Sequence, residues 1–276
     1  MPPRYALADR TLAQRLERAE GSSNAAFVDA RARLDPGIGA EWCDVAGTYA
    51  MFDGADSPLT QTFGLGLFAP VTKAELAVLE AFFADRGAPV HHEVSPVGDR
   101  AQLALLAARG YQPVEYTSVM HQPLPRADAA VMPWSASVQA RHIEAGEVAR
   151  WAETTAQGWS ETPEITAFMR DFGQLTAESR GTHCFLAERD GAAIAAGALT
   201  MHGSVALLAG ASTVPEWRGQ GAQAALLAAR LRFAAEQGCD LAMMGAEPGR
   251  ASQRNAERQG FRIAYTRIKW RLRPPA

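Results

Sequence analysis

Arg218, Gly219, Gln220 and Gly221 follow one another where an apolar, β-branched approach gives way to an alanine- and leucine-rich run of helical composition. Glycine lacks a Cβ, so at such a junction it lets backbone N–H groups point inward unobstructed. Those groups lie at a helix N-terminus, where the dipole favours an anion, and Arg218 adds a fixed positive charge. The chemistry predicted for residues 218–223 is the binding of a phosphate or pyrophosphate. The structural alternative is a tight turn that merely needs its glycines. No Gly-Lys-Ser/Thr follows to hold a triphosphate and Mg²⁺. A third glycine is missing and the preceding strands read as an antiparallel meander, so the dinucleotide fingerprint does not fit either.

The elements that must position this loop follow from pattern. A strand at 138–143 leads to helices at 147–159 and 165–180. Strands at 182–189 and 192–202 are joined by Asp190-Gly191, a two-residue hairpin signal. A third strand, 205–214, runs into the glycines, and the helix after them spans 222–237. Gly238 is a natural C-cap. Beyond it come a strand at 240–246, a short helix at 250–259 and a closing strand at 261–272. An antiparallel run followed by a strand–helix–strand crossover predicts a mixed α/β sheet.

The stretch AFFADRGAPVHHEVSPVGDRAQLALLAARGYQPVEYTSVM and the later RFAAEQGCDLAMMGAEPGRASQRNAERQGFRIAYTRIKW share one order: helix end, Gly, strand, Pro and Gly turn, helix, Gly plus aromatic, strand. Gly238 lies 151 residues after Gly87, and Gly260 lies 150 after Gly110. One residue of slippage over that distance predicts an internal duplication with a small loop change. Between the copies, HQPLPRADAAVMPWS is rich in proline and without periodicity, as an interdomain connection would be. The expected organisation is a domain at 1–125, a linker at 126–136 and a domain at 137–276.

A chain of 276 residues, 47 % hydrophobic and 21 % charged, can fill two ordinary globular cores. Its 27 Lys+Arg against 30 Asp+Glu show no basic excess, which speaks against a nucleic-acid partner. The N-terminus is charged and amphipathic, unlike a secretory signal. The most apolar region, 192–214, is interrupted by His202, Gly203 and Ser204, short of the roughly 20 apolar residues of a membrane span. Cys43, Cys184 and Cys239 are odd in number and far apart, which suits free thiols in a reducing compartment. A soluble, cytoplasmic protein without a membrane partner is expected. His91 and His92 are neighbours on a strand and point to opposite faces, so they do not chelate one ion. No metal site is expected.

PEWRGQGAQAALL resembles the acyl-CoA-binding loop of the GNAT superfamily of N-acyltransferases, Arg/Gln-x-x-Gly-x-Gly/Ala, with Arg218 and Gly221 matching and Gln223 departing at the last position. RASQRNAERQGF resembles the following segment of that family, a short helix ending in Gly-Phe. The resemblance covers about 138–272. It implies tandem GNAT-like domains, each a mixed, mostly antiparallel sheet flanked by helices (α/β, or α+β). It implies CoA contacts from Thr213, Val214, Arg218, Gly219, Gln220, Gly221, Ala222 and Gln223, with Ser252 and Asn255 reaching the pantetheine arm. By the offset of 151, Gln220-Gly221 falls on Ala69-Pro70 in the first half. The Arg-Gly-x-Gly is lost there and Pro70 removes a backbone donor, so the first half is expected to be a degenerate copy without a CoA site.

The activity so implied is direct transfer of an acetyl or other acyl group from acetyl-CoA, as co-substrate, to a primary amine of a small molecule or peptide. The amine must lose a proton, the oxyanion needs a donor, near Thr213 or Val214, and the thiolate benefits from an acid. Where many family members carry a tyrosine, four residues before the Gly of Gly-Phe, this chain has Ala256. Tyr265 is the substitute acid considered. Glu247 and His202 are the candidates for the base, each also readable as a solvated turn residue. Trp159, Glu161 and Glu164 border the region where an acceptor amine would enter. The alternative function is a non-catalytic acyl-CoA-binding sensor or interaction protein. A homodimer is compatible with the sequence.

Overall fold

The computed structural model describes residues 5–124 and 137–273, so the expected linker at 126–136 lies outside the described residues. The first half contains α1 (Arg10–Leu34), β1 (Glu41–Val45), β2 (Thr48–Phe52), β3 (Gln61–Phe63), α2 (Lys73–Ala84), β4 (His91–Val94), α3 (Ala101–Ala108) and β5 (Tyr111–Pro123). The second contains β6 (Gln139–His142), α4 (Val148–Gln157), α5 (Pro163–Glu178), β7 (Thr182–Arg189), β8 (Ala192–His202), β9 (Val205–Thr213), α6 (Ala222–Glu236), β10 (Leu241–Ala246), α7 (Ala251–Arg258) and β11 (Arg262–Leu272). The architecture is mixed α/β, and the duplicated unit is visible: α2–β4–α3–β5 has the same order as α6–β10–α7–β11. Gly110 and Gly260 both close a short helix with positive φ, 88° and 94°, a conformation that only glycine adopts freely.

Two compact units form, but they are not the two halves of the chain. One comprises described residues within 123–242; the other comprises 5–122 together with 243–273. The first unit holds the antiparallel meander β6–β7–β8–β9. Asp190 and Gly191 make its hairpin turn with φ of 52° and 82°, as a two-residue turn matched to strand twist requires. Helix α6 covers one apolar cluster, in which Ala222, Ala225, Leu226 and Ala229 meet Phe185, Ile194 and Leu199. Helix α4 inserts Trp151, whose Nε1 donates to Phe185 O at 3.1 Å and Gly197 O at 3.3 Å, so the buried indole leaves no polar atom unpaired.

In the second unit β11 lies antiparallel between β4 and β5, while β3 and β4 run parallel. The expected domain at 137–276 includes β11, whereas this last strand pairs with β4 and β5 of the first half. A buried ionic cluster gives the reason. Arg267, 2 % exposed, bonds Glu93 of β4 at 2.8 Å, Glu20 of α1 at 2.8 Å and Glu17 of α1 at 3.2 Å. A buried guanidinium without carboxylates would be prohibitively desolvated, so β11 folds where α1 and β4 supply them. His92 is likewise buried, between Thr62 Oγ1 at 2.8 Å and Tyr111 Oη at 3.0 Å. Burial lowers its pKa to about 3 and keeps the ring neutral.

Burial pushes the Glu17 carboxyl up from 4.5 to about 7; Arg267 and the Tyr265 hydroxyl oppose the rise, and Glu20 and Glu93 add to it. A raised folded-state pKa contributes stability that is fully present below 4.5 and is lost as pH rises through about 7. The melting temperature is therefore expected to fall between pH 6 and pH 8, and Glu17→Gln to flatten that fall. Equal slopes for wild type and variant in calorimetric scans would show that Glu17 does not titrate in this window.

Candidate functional site

The glycine loop forms at the end of β9. A single 3-10 turn, Pro215–Trp217, leads to Arg218, and Gly219 and Gly221 follow with φ of 76° and 88°. Gly221 is the N-cap of α6; it gives no side-chain cap, and the first turn carries no acidic residue. Loop N–H groups are consumed up to Arg218: Trp217 N donates to Val214 O at 3.0 Å and Arg218 N to Pro215 O at 3.2 Å. The next to find an acceptor among the described residues is that of Ala225, bonded to Gly221 O at 3.0 Å. The N–H groups between them are the orphans of a helix start, at the positive end of the helix dipole.

Side chains stiffen this loop. Gln223, which departs from the family pattern, donates from Nε2 to Thr213 Oγ1 at 2.8 Å and ties the helix start to the strand end. Gln220 donates to Glu216 O at 3.2 Å and accepts from Arg189. Arg218 donates to Glu161 Oε2 at 2.7 Å and to Gly158 O at 3.1 Å. Both partners of the Arg218–Glu161 pair are exposed, so the pair is worth little and does not commit the guanidinium. Gly158, at the end of α4, packs on Ser212, whose Oγ donates to Thr155 O at 3.0 Å. Trp159 is 43 % exposed beside it, and Ile165 and Phe168 of α5 are also exposed.

The same position in the first half is closed. Helix α2 starts with a capping box: Glu75 N donates to Thr72 Oγ1 at 3.4 Å and Thr72 N to Glu75 Oε2 at 2.7 Å. Two of the orphan donors are used, and a carboxylate lies at the helix start. The helix-start residue that corresponds to Gly221 is Thr72, two residues beyond the Pro70 to which the offset of 151 points.

The strand feature missing from the sequence reading is a bulge. Ala196 faces Ser212 but Ala198 faces Ala209, so Gly210 and Ala211 together oppose Gly197. Residues 209–211 are exposed in an otherwise buried strand, and Gly210 has φ of 59°. An isolated glycine within a strand pattern was the signal for it.

Several expected site residues need correction. Val214 N donates to Ile194 O at 3.0 Å, so this N–H is spent on the sheet and is not an oxyanion donor. Thr213 is one residue before it, and alternation along an antiparallel strand turns its N–H away from β8. His202 pairs with Val205 at the start of β9, eight residues and about 26 Å along the strand from Thr213, too far to serve chemistry at the loop. Tyr265 is 7 % exposed, and its hydroxyl donates to Glu17 Oε1 at 2.9 Å inside the ionic cluster. It has no proton to offer a thiolate there and is withdrawn as the acid. Glu247 follows the end of β10, exposed and paired with Arg250 at 2.9 Å. Ser252 and Asn255 are exposed on α7, and Ala256 is buried. Glu247, Ser252 and Asn255 belong to the unit that contains 243–273, whereas the glycine loop belongs to the other.

A Cβ at residue 158 would stand 2.4 Å from Ser212 Cβ, a distance that forces the α4 end off β9. Gly158→Ala is expected to lose about 1–3 kcal/mol in urea unfolding. Unchanged stability would show that this contact yields freely.

Residues 147–261 match the model of the acetyltransferase (GNAT) family. No curated protein matches the chain. Among solved structures, a GCN5-related N-acetyltransferase from Kribbella flavida superposes with a TM-score of 0.62 at 20 % identity, covering 91 % of this chain and 96 % of that one. A tandem GNAT protein from the clavulanic acid biosynthesis pathway gives 0.57 at 16 %, covering 83 % and 79 %. A GCN5-related N-acetyltransferase from Sphaerobacter thermophilus gives 0.53 at 17 %, covering 86 % and 77 %. Residues 147–261 thus match the acetyltransferase (GNAT) family, in a chain whose fold is that of GNAT proteins, tandem ones included.

Proposed function

We propose that this protein transfers an acyl group, acetyl in the first instance, from acyl-CoA to a primary amine of a small molecule or peptide. The observation that carries the reading is the start of α6, with two glycines at positive φ, no side-chain cap and no acid in the first turn. A pyrophosphate fits that set of bare donors, and Arg218 exchanges an exposed glutamate for a phosphate at small cost. Gln220, Ala222 and Gln223 contribute backbone donors.

The arm between pyrophosphate and sulfur is about as long as four residues of extended chain, roughly 14 Å. Counted back along β9 from Thr213, that length ends at the exposed bulge of residues 209–211. The thioester oxygen is therefore assigned to backbone donors of the bulge, replacing Thr213 and Val214 in that role. Such donors act where negative charge develops, in a site that needs no reorganisation. With Ala256 in the family's tyrosine position and Tyr265 engaged elsewhere, the thiolate takes its proton from water. The missing acid also favours a second reading, a non-catalytic acyl-CoA sensor. Release of free CoA on addition of an amine separates the two.

Titration calorimetry with acetyl-CoA is expected to give one site per chain. Two sites would overturn the closed first half, and no binding at millimolar ligand would sink the CoA assignment. Gln220→Asp, which sets a carboxylate among the phosphate donors, is expected to weaken binding about tenfold. Unchanged affinity would move the anion away from α6.

A further inference from the structure

The bulge of β9 rests on a buried charge. Arg230, midway along α6, is 3 % exposed. Its Nη1 donates to Ala198 O at 3.0 Å and reaches Ala209 O at 3.5 Å, and its Nε donates to Leu226 O at 3.2 Å. Ala198 and Ala209 are the facing pair that borders the bulge. A Cβ on Gly197, the residue opposite the bulge, would come within 3.1 Å of the guanidinium carbon, so that position is bare where the charge lies against it. Among the described residues no carboxylate lies within ion-pair distance of Arg230. Desolvation lowers its pKa only to about 10, so it remains a cation at neutral pH. A buried cation answered by carbonyls alone is a costly choice in a helix otherwise filled with alanine and leucine.

We infer that Arg230 is a positioning residue for acyl transfer, holding the β9 bulge from behind and polarising the backbone donor that meets the thioester oxygen. In a trans peptide the C=O and the next N–H point opposite ways. Ala209 O faces Arg230, so the N–H of Gly210 faces away from it, on the exposed stretch of the strand. Pulling on one end of that peptide strengthens donation at the other. The inference rests on the acyl-CoA reading and adds to it: the charge is felt by the thioester carbonyl, not by the CoA phosphates.

Infrared spectra of [1-¹³C]acetyl-CoA bound to the full chain, with calorimetric titrations of CoA and acetyl-CoA, test this without a known amine. In wild type the carbonyl band is expected at lower wavenumber than in solution, with acetyl-CoA bound more tightly than CoA. Arg230→Met is expected to keep CoA affinity, to return the band toward its solution position, and to lose the acetyl-CoA preference. That loss should be on the order of tenfold, smaller than the roughly hundredfold carried by a direct oxyanion donor. Arg230→Lys, which keeps the charge, is expected to restore part of the shift. Where Arg230→Met does not fold, Gly197→Ala reads the same effect, because its methyl displaces the guanidinium from the bulge while the charge stays. An unchanged carbonyl band in a variant that binds CoA overturns the role of Arg230. Failure of wild type to bind either ligand overturns the acyl-CoA reading instead.

Discussion

Arg267 lies on the last strand of the chain with Glu17 and Glu20 of α1 and Glu93 of β4 around it. Lys269, two residues on, reaches Glu93 at 3.5 Å and Glu115 at 2.7 Å. Three elements from opposite ends of the sequence are thereby bound to one guanidinium, whose charge is stabilised above the usual arginine range by its carboxylates against the effect of burial. Breaking a buried cluster of this kind by removing one partner costs about 3–5 kcal/mol. The constraint also fixes chain traffic. The polypeptide that builds the glycine loop crosses from one unit to the other within β10 and must end among those carboxylates, so the family-like segment does not fold as a self-contained half.

Within that frame the duplication has produced two helix starts of opposite character. At α2 a threonine and a glutamate satisfy two of the orphan donors from inside, and the glutamate places negative charge at the positive end of the helix. At α6 a glycine in the left-handed region leaves the donors bare and brings no acid. The local geometry of helix entry is similar; the electrostatics differ by a full charge. An anion is drawn to one and repelled by the other.

Much of this was legible in sequence because it is local. The repeat, the Asp190-Gly191 hairpin, the glycine loop and nearly every element of the second half follow from periodicity and turn residues within a dozen positions. The placement of His202 was legible too, since it opens the hairpin whose far end runs into the loop. Tyr265 was not: its partner Glu17 is 248 residues away, and nothing near it marks the strand as belonging to the first half. The bulge was announced only by Gly210, a single residue inside a run that otherwise reads as a regular strand.

Two buried arginines show how burial separates support from chemistry. Arg267 has the carboxyl groups of Glu17, Glu20 and Glu93 around it, which answer its charge where it stands. Arg230 has only carbonyl oxygens. Dipoles solvate a cation without cancelling it, and in a low-dielectric interior the remaining field is felt by whatever gathers negative charge nearby. A purely structural role at position 230 would be met better by leucine, which fills the space between α6 and the sheet without desolvating a charge. The feature that leucine could not supply is a fixed positive potential behind the one exposed, irregular stretch of β9. That stretch is also where an arm extending from the α6 anion site comes to its end.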